Sequence, residues 1–267
     1  MASGYTEKEI RQMVAESLDC DPHFFYQQRF LNYQGRTTDS KQPYVEVISD
    51  ELLRSVSQLR RIGVDVPIRR TKSFNTLHNG IPNVDARLER FGKLTYSEKL
   101  LAIAIYNSGS KFCFGKVIDY QVPLKERQKD RFGEIDLLAK SRDSIKLLEL
   151  KINGKGKETL LRALLEVYTY HKLLSGSVQK FITDFNLAAD TYFQPGILTD
   201  QFSLSGHTLS NMAAFPNTSA LVSELNAEIG VPVEFFLFSY PSQSVVRSPM
   251  DRKITLVGDI AITRVFS

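Results

Sequence analysis

Three charged side chains stand inside otherwise apolar sequence: Asp136, Glu149 and Lys151. Residues 133–152, Gly-Glu-Ile-Asp-Leu-Leu-Ala-Lys-Ser-Arg-Asp-Ser-Ile-Lys-Leu-Leu-Glu-Leu-Lys-Ile, read as two strands joined by the polar turn at 140–144. Ile135, Leu137 and Leu138 make the first strand apolar, and Ile145, Leu147, Leu148, Leu150 and Ile152 the second. Strand side chains alternate, so Glu149 and Lys151 share a face, roughly 7 Å apart, while Leu148, Leu150 and Ile152 point into a core. A charge in a core strand has to be paired or hold a metal. An Asp on one strand and Glu-x-Lys on the next offer two carboxylates to a hard divalent cation, and Mg2+ takes such oxygens while keeping several waters. An ammonium beside a metal-bound water suits phosphodiester hydrolysis. The cation lowers the water's pKa and offsets the phosphate charge, and the lysine orients the nucleophile or stabilises developing charge. A surface hairpin with an ordinary Glu149–Lys151 ion pair accounts for the same residues without chemistry.

Asp136, then Glu149-Leu150-Lys151 at the end of an apolar strand, resembles the PD-(D/E)XK nuclease superfamily, over about Leu94 to Tyr240. Ile135 stands where the motif's name has Pro, a departure shared by many members. Acidic-x-Lys also occurs at Asp39-Ser40-Lys41 and Asp251-Arg252-Lys253, but neither lies in an apolar strand that follows another Asp-bearing strand. The resemblance implies an α/β, restriction-endonuclease-like mixed sheet flanked by helices, and metal-dependent cleavage of nucleic acid, DNA favoured. Mg2+, or Mn2+ in its place, would be held by Asp136, Glu149 and the Leu150 carbonyl, and Lys151 would position or activate water. It also nominates Glu98, on the helix before the first core strand, although Thr95-Tyr96-Ser97-Glu98 is equally a capping box. Glu166-Val167-Tyr168-Thr169-Tyr170 is similar to the Gln-x-x-x-Tyr signature of RecB-like nucleases, with Glu in place of Gln. An Arg162–Glu166 ion pair explains the same helix face without nucleic acid.

The elements that must position these residues follow from periodicity. Helices are expected at 6–19, opened by the capping box Thr6-Glu7-Lys8-Glu9, and at 49–62, 95–107, 158–174 and 218–229. Leu161, Leu164, Leu165 and Tyr168 form the core stripe of the fourth of these. Strands are expected at 112–122, at 191–199 with Pro195 near a sheet edge, at 231–238 and at 254–262, with a loop at 203–219 around His207. The aromatic run at 23–34 packs against a core or stacks on bases. Lys125, Arg127, Lys129 and Arg131 precede Asp136 and would offset its repulsion of phosphates, or form a solvated tip. Arg69, Arg70 and Lys72 are lesser phosphate candidates on a loop. Lys155 and Lys157 lie in a Gly-Lys-rich turn that opens a helix and could meet a phosphate. That turn is not a Walker loop, because Glu158 follows Lys157 and the earlier Gly is missing.

The 267 residues allow a mainly helical N-terminal region, 1–92, followed by a nuclease-like domain, 93–267. Apolar content of 42% supports a real core. A net charge of +4 is compatible with nucleic acid without specifying it. Two cysteines and four scattered histidines exclude a disulfide framework and a zinc site. No apolar run is long enough for a membrane span, and no signal peptide is recognisable, so a cytoplasmic protein is expected. A homodimer would let two sites cut both strands of a duplex. The competing functions are a catalytically silent nucleic-acid-binding or assembly subunit and a protein-binding α/β domain.

Overall fold

In the computed structural model the charged hairpin lies at the middle of a seven-stranded mixed sheet. The structure describes residues 4–63, 71–72, 97–124, 133–142, 144–153, 158–239, 245–247, 254–256, 258 and 260–266. Helices α1 (Glu7–Cys20), α2 (Tyr44–Arg54) and α3 (Val56–Leu59) form the N-terminal region, with 3-10 turns at Pro22–Gln27 and Arg29–Asn32 between α1 and α2. Then come α4 (Glu98–Ser108), β1 (Lys111–Phe112), β2 (Gly115–Pro123), β3 (Glu134–Lys140), β4 (Ser144–Lys151), α5 (Leu160–Ser175), α6 (Val178–Phe185) and β5 (Tyr192–Asp200). The chain closes with α7 (Leu204–Ser210), α8 (Pro216–Ile229), β6 (Glu234–Ser239), β7 (Val245–Arg247), β8 (Ile254–Leu256) and β9 (Ala261–Phe266).

The sheet order is β1-β2-β3-β4-β5-β6-β9, and β7 and β8 pair separately. Strands β2, β3 and β4 are antiparallel neighbours, β4, β5 and β6 run parallel, and β9 returns antiparallel to β6. All of β4 is buried. Ile145 and Leu147 face a core shared with α1, α2, α5 and α8, while Leu148 and Leu150 face a second core built on α4. Full burial of each such side chain contributes about 1.5–3 kcal/mol, which is why this strand can hold charges at its end.

Several expectations are corrected. The stretch expected as a loop at 203–219 is largely helical. Ser203 caps α7 by accepting from Gly206 N, and Gly206 lies so close to the end of β5 that a Cβ there would stand 2.2 Å from Asp200 O. Pro195 is in an interior strand, not near an edge. It pairs with Leu147 on one side, and the β6 ladder starts one residue later at Gly196↔Glu234, so the missing N–H falls where that ladder has not begun. The last expected strand divides into β8 and β9, in separate sheets. The helix expected at 49–62 begins at Tyr44, and α2 ends at Arg54 before the short α3.

The described part of residues 1–92 does not stand apart, because Ile10, Val14, Val47, Ile48 and Leu52 share one core with Leu161 and Leu225. The aromatic run packs inward through Phe25, Tyr26 and Phe30. Helix α8 has no cap from its own side chains, and Glu46 of α2 supplies one. Glu46 is 5% exposed and accepts from Asn217 N at 2.9 Å, Thr218 N at 3.0 Å and Thr218 Oγ1 at 2.8 Å. Its removal leaves the Thr218 and Asn217 amides without this acceptor at a largely buried helix start, while Thr218 Oγ1 keeps Ser49 Oγ at 3.0 Å. Glu46→Ala is therefore expected to destabilise the whole chain by about 2 kcal/mol, read as a lower midpoint in urea unfolding.

Candidate active site

The antiparallel ladder of the hairpin covers Leu137–Lys140 against Ile145–Leu148 and then stops. Asp136 and Glu149 are the next facing positions in that register, on the same face. Directly opposed like charges repel. Where the strands part, the Asp136 side chain takes over from the backbone: Leu150 N donates to Asp136 Oδ2 at 2.9 Å. The N–H and C=O of one strand residue point to the same side, so the Leu150 carbonyl faces the same gap between the strands.

Lys151 stands among three carboxylates, with Nζ 2.7 Å from Glu149 Oε1, 2.5 Å from Glu158 Oε2 and 3.1 Å from Glu166 Oε2. Glu166 projects from α5 and accepts from the Tyr170 hydroxyl one turn later at 2.9 Å. Glu98 arrives from the opposite layer at the first turn of α4, and its Oε1 accepts from Ile152 N at 3.4 Å. The cap of α4 is Ser97, which accepts from Leu100 N. The capping-box alternative for Glu98 is thereby replaced by a contact with the end of β4. Arg162 lies 3.4 Å from Glu158 rather than pairing with Glu166.

The electrostatics follow from burial of more negative than positive charge. Burial, against the pull of Lys151, pushes Asp136 up to about 7, and the Glu98 charge adds to the rise. Burial also pushes Glu149 well up, helped by Asp136 and Glu166. Burial and Glu158 raise Glu98. Burial opposes the Lys151 ammonium, but Glu149, Glu166 and Glu158 outweigh it and hold that pKa well above the usual lysine range. Glu166 is also buried, yet Lys151 and the Tyr170 hydroxyl keep it below the usual carboxylate range. Glu149 is 4% exposed, and among the described residues no donor reaches its Oε2. A proton shared between Glu149 and Glu166 helps to keep Glu166 low.

Two carboxylates, one of them with an oxygen that no donor among the described residues reaches, and one carbonyl form a set that a hard divalent cation fits. Among the described residues no three His, Cys, Asp or Glu side chains converge as a ready-made cage. Waters would then complete the shell, as Mg2+ prefers.

The structure thus gathers Glu98, Asp136, Glu149, Leu150, Lys151, Glu166 and Tyr170 in one place. Tyr170 is 1% exposed, so it supports Glu166 from within and offers no surface to nucleic acid, a correction to the expected contact. Lys125, Arg127, Lys129, Arg131, Lys155 and Lys157 lie outside the described residues, as do Arg69 and Arg70. Lys72 lies over the Phe185 ring, 5.3 Å from its centroid. Two members of the site are additions to the expected set. Glu158 was legible only as the residue that spoils a Walker pattern. Tyr26 accepts from Gly133 N at 3.2 Å and meets Tyr170 edge-on at 5.7 Å, tying the N-terminal region to the start of β3. No local pattern in the aromatic run distinguishes Tyr26 from its neighbours.

Two outcomes are expected. A Cβ at Gly133 would stand 1.8 Å from the Tyr170 hydroxyl. Gly133→Ala should therefore displace Tyr170 from Glu166 and destabilise by about 1–3 kcal/mol, seen in tyrosine ring resonances and urea unfolding. Folded Asp136 keeps its proton up to about 7, whereas an unfolded Asp releases it near 3.8. This group's contribution to the metal-free fold is complete below about pH 4 and is lost as pH rises through about 7. Asp136→Asn should flatten that slope, so that between about pH 5 and about pH 8 the melting temperature of the wild type falls by several degrees more than that of the variant.

Comparison of the chain with protein-family models, with curated proteins and with solved structures returns no match, and the chemistry of these residues is the ground on which a function has to be proposed.

Proposed function

We propose that this chain is a divalent-metal-dependent phosphodiesterase of the PD-(D/E)XK kind, acting on nucleic acid with DNA favoured. One observation carries the reading: Asp136 and Glu149 oppose each other where the hairpin ladder ends, with no donor among the described residues on Glu149 Oε2 and with Lys151 beside them. Asp136, Glu149 and the Leu150 carbonyl would hold Mg2+ or Mn2+. When bound, the cation would acidify a coordinated water and offset the charge of the scissile phosphate.

The chain's own groups divide the remaining work. Lys151 stays protonated, because Glu149, Glu158 and Glu166 surround it. It therefore orients a water, or stabilises charge developing on the phosphate, by donating hydrogen bonds, and does not serve as a base. Glu166 stays ionised and keeps the Lys151 ammonium aimed, while Tyr170 keeps Glu166 aimed. Glu98 tethers the end of β4 at Ile152 N and adds negative charge at the metal's side of the site. Lys125, Arg127, Lys129, Arg131, Lys155 and Lys157 remain the proposed phosphate contacts.

The test is a cleavage assay on supercoiled plasmid and on short labelled DNA and RNA, in Mg2+, in Mn2+ and in EDTA. Metal-dependent cutting should fall at least about 100-fold in Lys151→Ala. Equal cutting by both proteins would remove Lys151 from the mechanism. No cutting by either would favour a binding or assembly subunit on the same fold. Because a cation must displace protons from Asp136 and Glu149, Mn2+ affinity measured by calorimetry should rise with pH through about 7, with proton release on binding.

A further inference from the structure

A cavity of about 250 Å3 opens between the N-terminal region and the α/β body. Tyr33, Val45, Leu204 and Phe215 form its apolar wall, and Arg36 and Thr159 stand at its polar side. We propose that it takes the base of an unpaired nucleotide flanking the scissile phosphate, so that the substrate is single-stranded or locally melted. This inference rests on the nuclease reading of the Asp136–Lys151 site.

The cavity and that site meet at adjacent residues of the chain. Thr159, in the cavity wall, directly follows Glu158, whose Oε2 is 2.5 Å from Lys151 Nζ. Ser205 Oγ donates to Glu158 O at 2.6 Å, which fixes α7, and with it Leu204, to the same point. A strand whose phosphate meets Lys151 would then have a nearby nucleotide on the side of the opening.

The walls also suit a base. Tyr33 is held before any ligand arrives, with its ring stacked on Tyr5 at 5.2 Å, planes 5° apart, and edge-on to Tyr44 at 6.0 Å. A rigid aromatic is the sequence-tolerant platform on which unpaired bases stack. Gln34 and Thr208, also in the lining, offer an amide and a hydroxyl to the polar edge of a ring. Arg36 is exposed and spends one donor on Lys41 O, with further N–H groups to offer a phosphate. A purely apolar ligand would have no use for that guanidinium, and a base still stacked in a duplex cannot enter a recess of this kind.

The test uses the full chain in EDTA, with a single-stranded oligodeoxynucleotide carrying 2-aminopurine and with its duplex form. Wild type should quench the single strand and bind it about tenfold more tightly than the duplex. Phe215→Ala should lose the quenching and about tenfold in affinity. Thr208→Phe fills the cavity from a half-exposed helix position and should do the same, with circular dichroism confirming its fold. Equal quenching by wild type and both cavity variants would overturn the proposal. Cleavage in Mn2+, run in parallel, separates the two readings. Cutting without cavity-dependent quenching overturns the base pocket and leaves the nuclease standing. Cavity-dependent quenching without cutting supports the pocket and removes the nuclease, and the absence of both overturns both.

Discussion

Two carboxylates opposed across an antiparallel hairpin repel, and the surroundings of Asp136 and Glu149 are arranged to keep them there. The backbone ladder ends just before them, so Asp136 can bond Leu150 N in its place. Lys151 supplies one positive charge to a buried group that also contains Glu98, Glu158 and Glu166. That balance is short of positive charge, and the shortfall is met by protons in the metal-free protein. A divalent cation would meet it without them. The same deficit that destabilises the metal-free protein at neutral pH would favour the cation proposed for this site.

The deficit is tolerable because β4 is anchored elsewhere along its length. Every residue of the strand is buried, and its apolar side chains enter two cores on opposite faces. Its charges are Lys146 near the start, paired with Glu234 and Gln194, and Glu149 and Lys151 at the end. The last two lie at the carboxyl end of the parallel set β4, β5 and β6, where open α/β sheets bind ligands because the strands end and their connections diverge. Asp200, at the matching end of β5, accepts from Asn153 N at 3.3 Å and from Phe202 N at 2.9 Å, tying the segment after Lys151 to the turn that starts α7.

The N-terminal helices complete this end of the molecule. Glu46 closes the exposed amides of α8, Tyr26 props the start of β3 against Tyr170, and Thr159 bonds to Leu31 O and Asn32 Oδ1. Each contact joins the region to an element that carries or flanks the charged cluster. Its aromatics are thus accounted for by packing, apart from Tyr33, whose ring is held by Tyr5 and Tyr44 and also lines the cavity.

Local sequence determined the parts whose geometry repeats over a few residues. Alternation placed Glu149 and Lys151 on one face of a strand, and the turn at 140–144 brought Asp136 back beside them. The Thr6–Glu9 capping box opened α1, and the leucine stripe opened α5 toward the core. These follow from the pitch of strands and helices, which covalent geometry sets. Tertiary structure alone decided that Glu98 would reach Ile152 from the other layer, that Glu158 would join Lys151, and that Tyr26 would bond Gly133. It also decided that Pro195 could sit inside the sheet and that a Ser- and Gly-rich stretch would become α7. Such outcomes depend on which faces are buried against each other and which polar groups must find partners once water is gone, and no short window of residues contains that information.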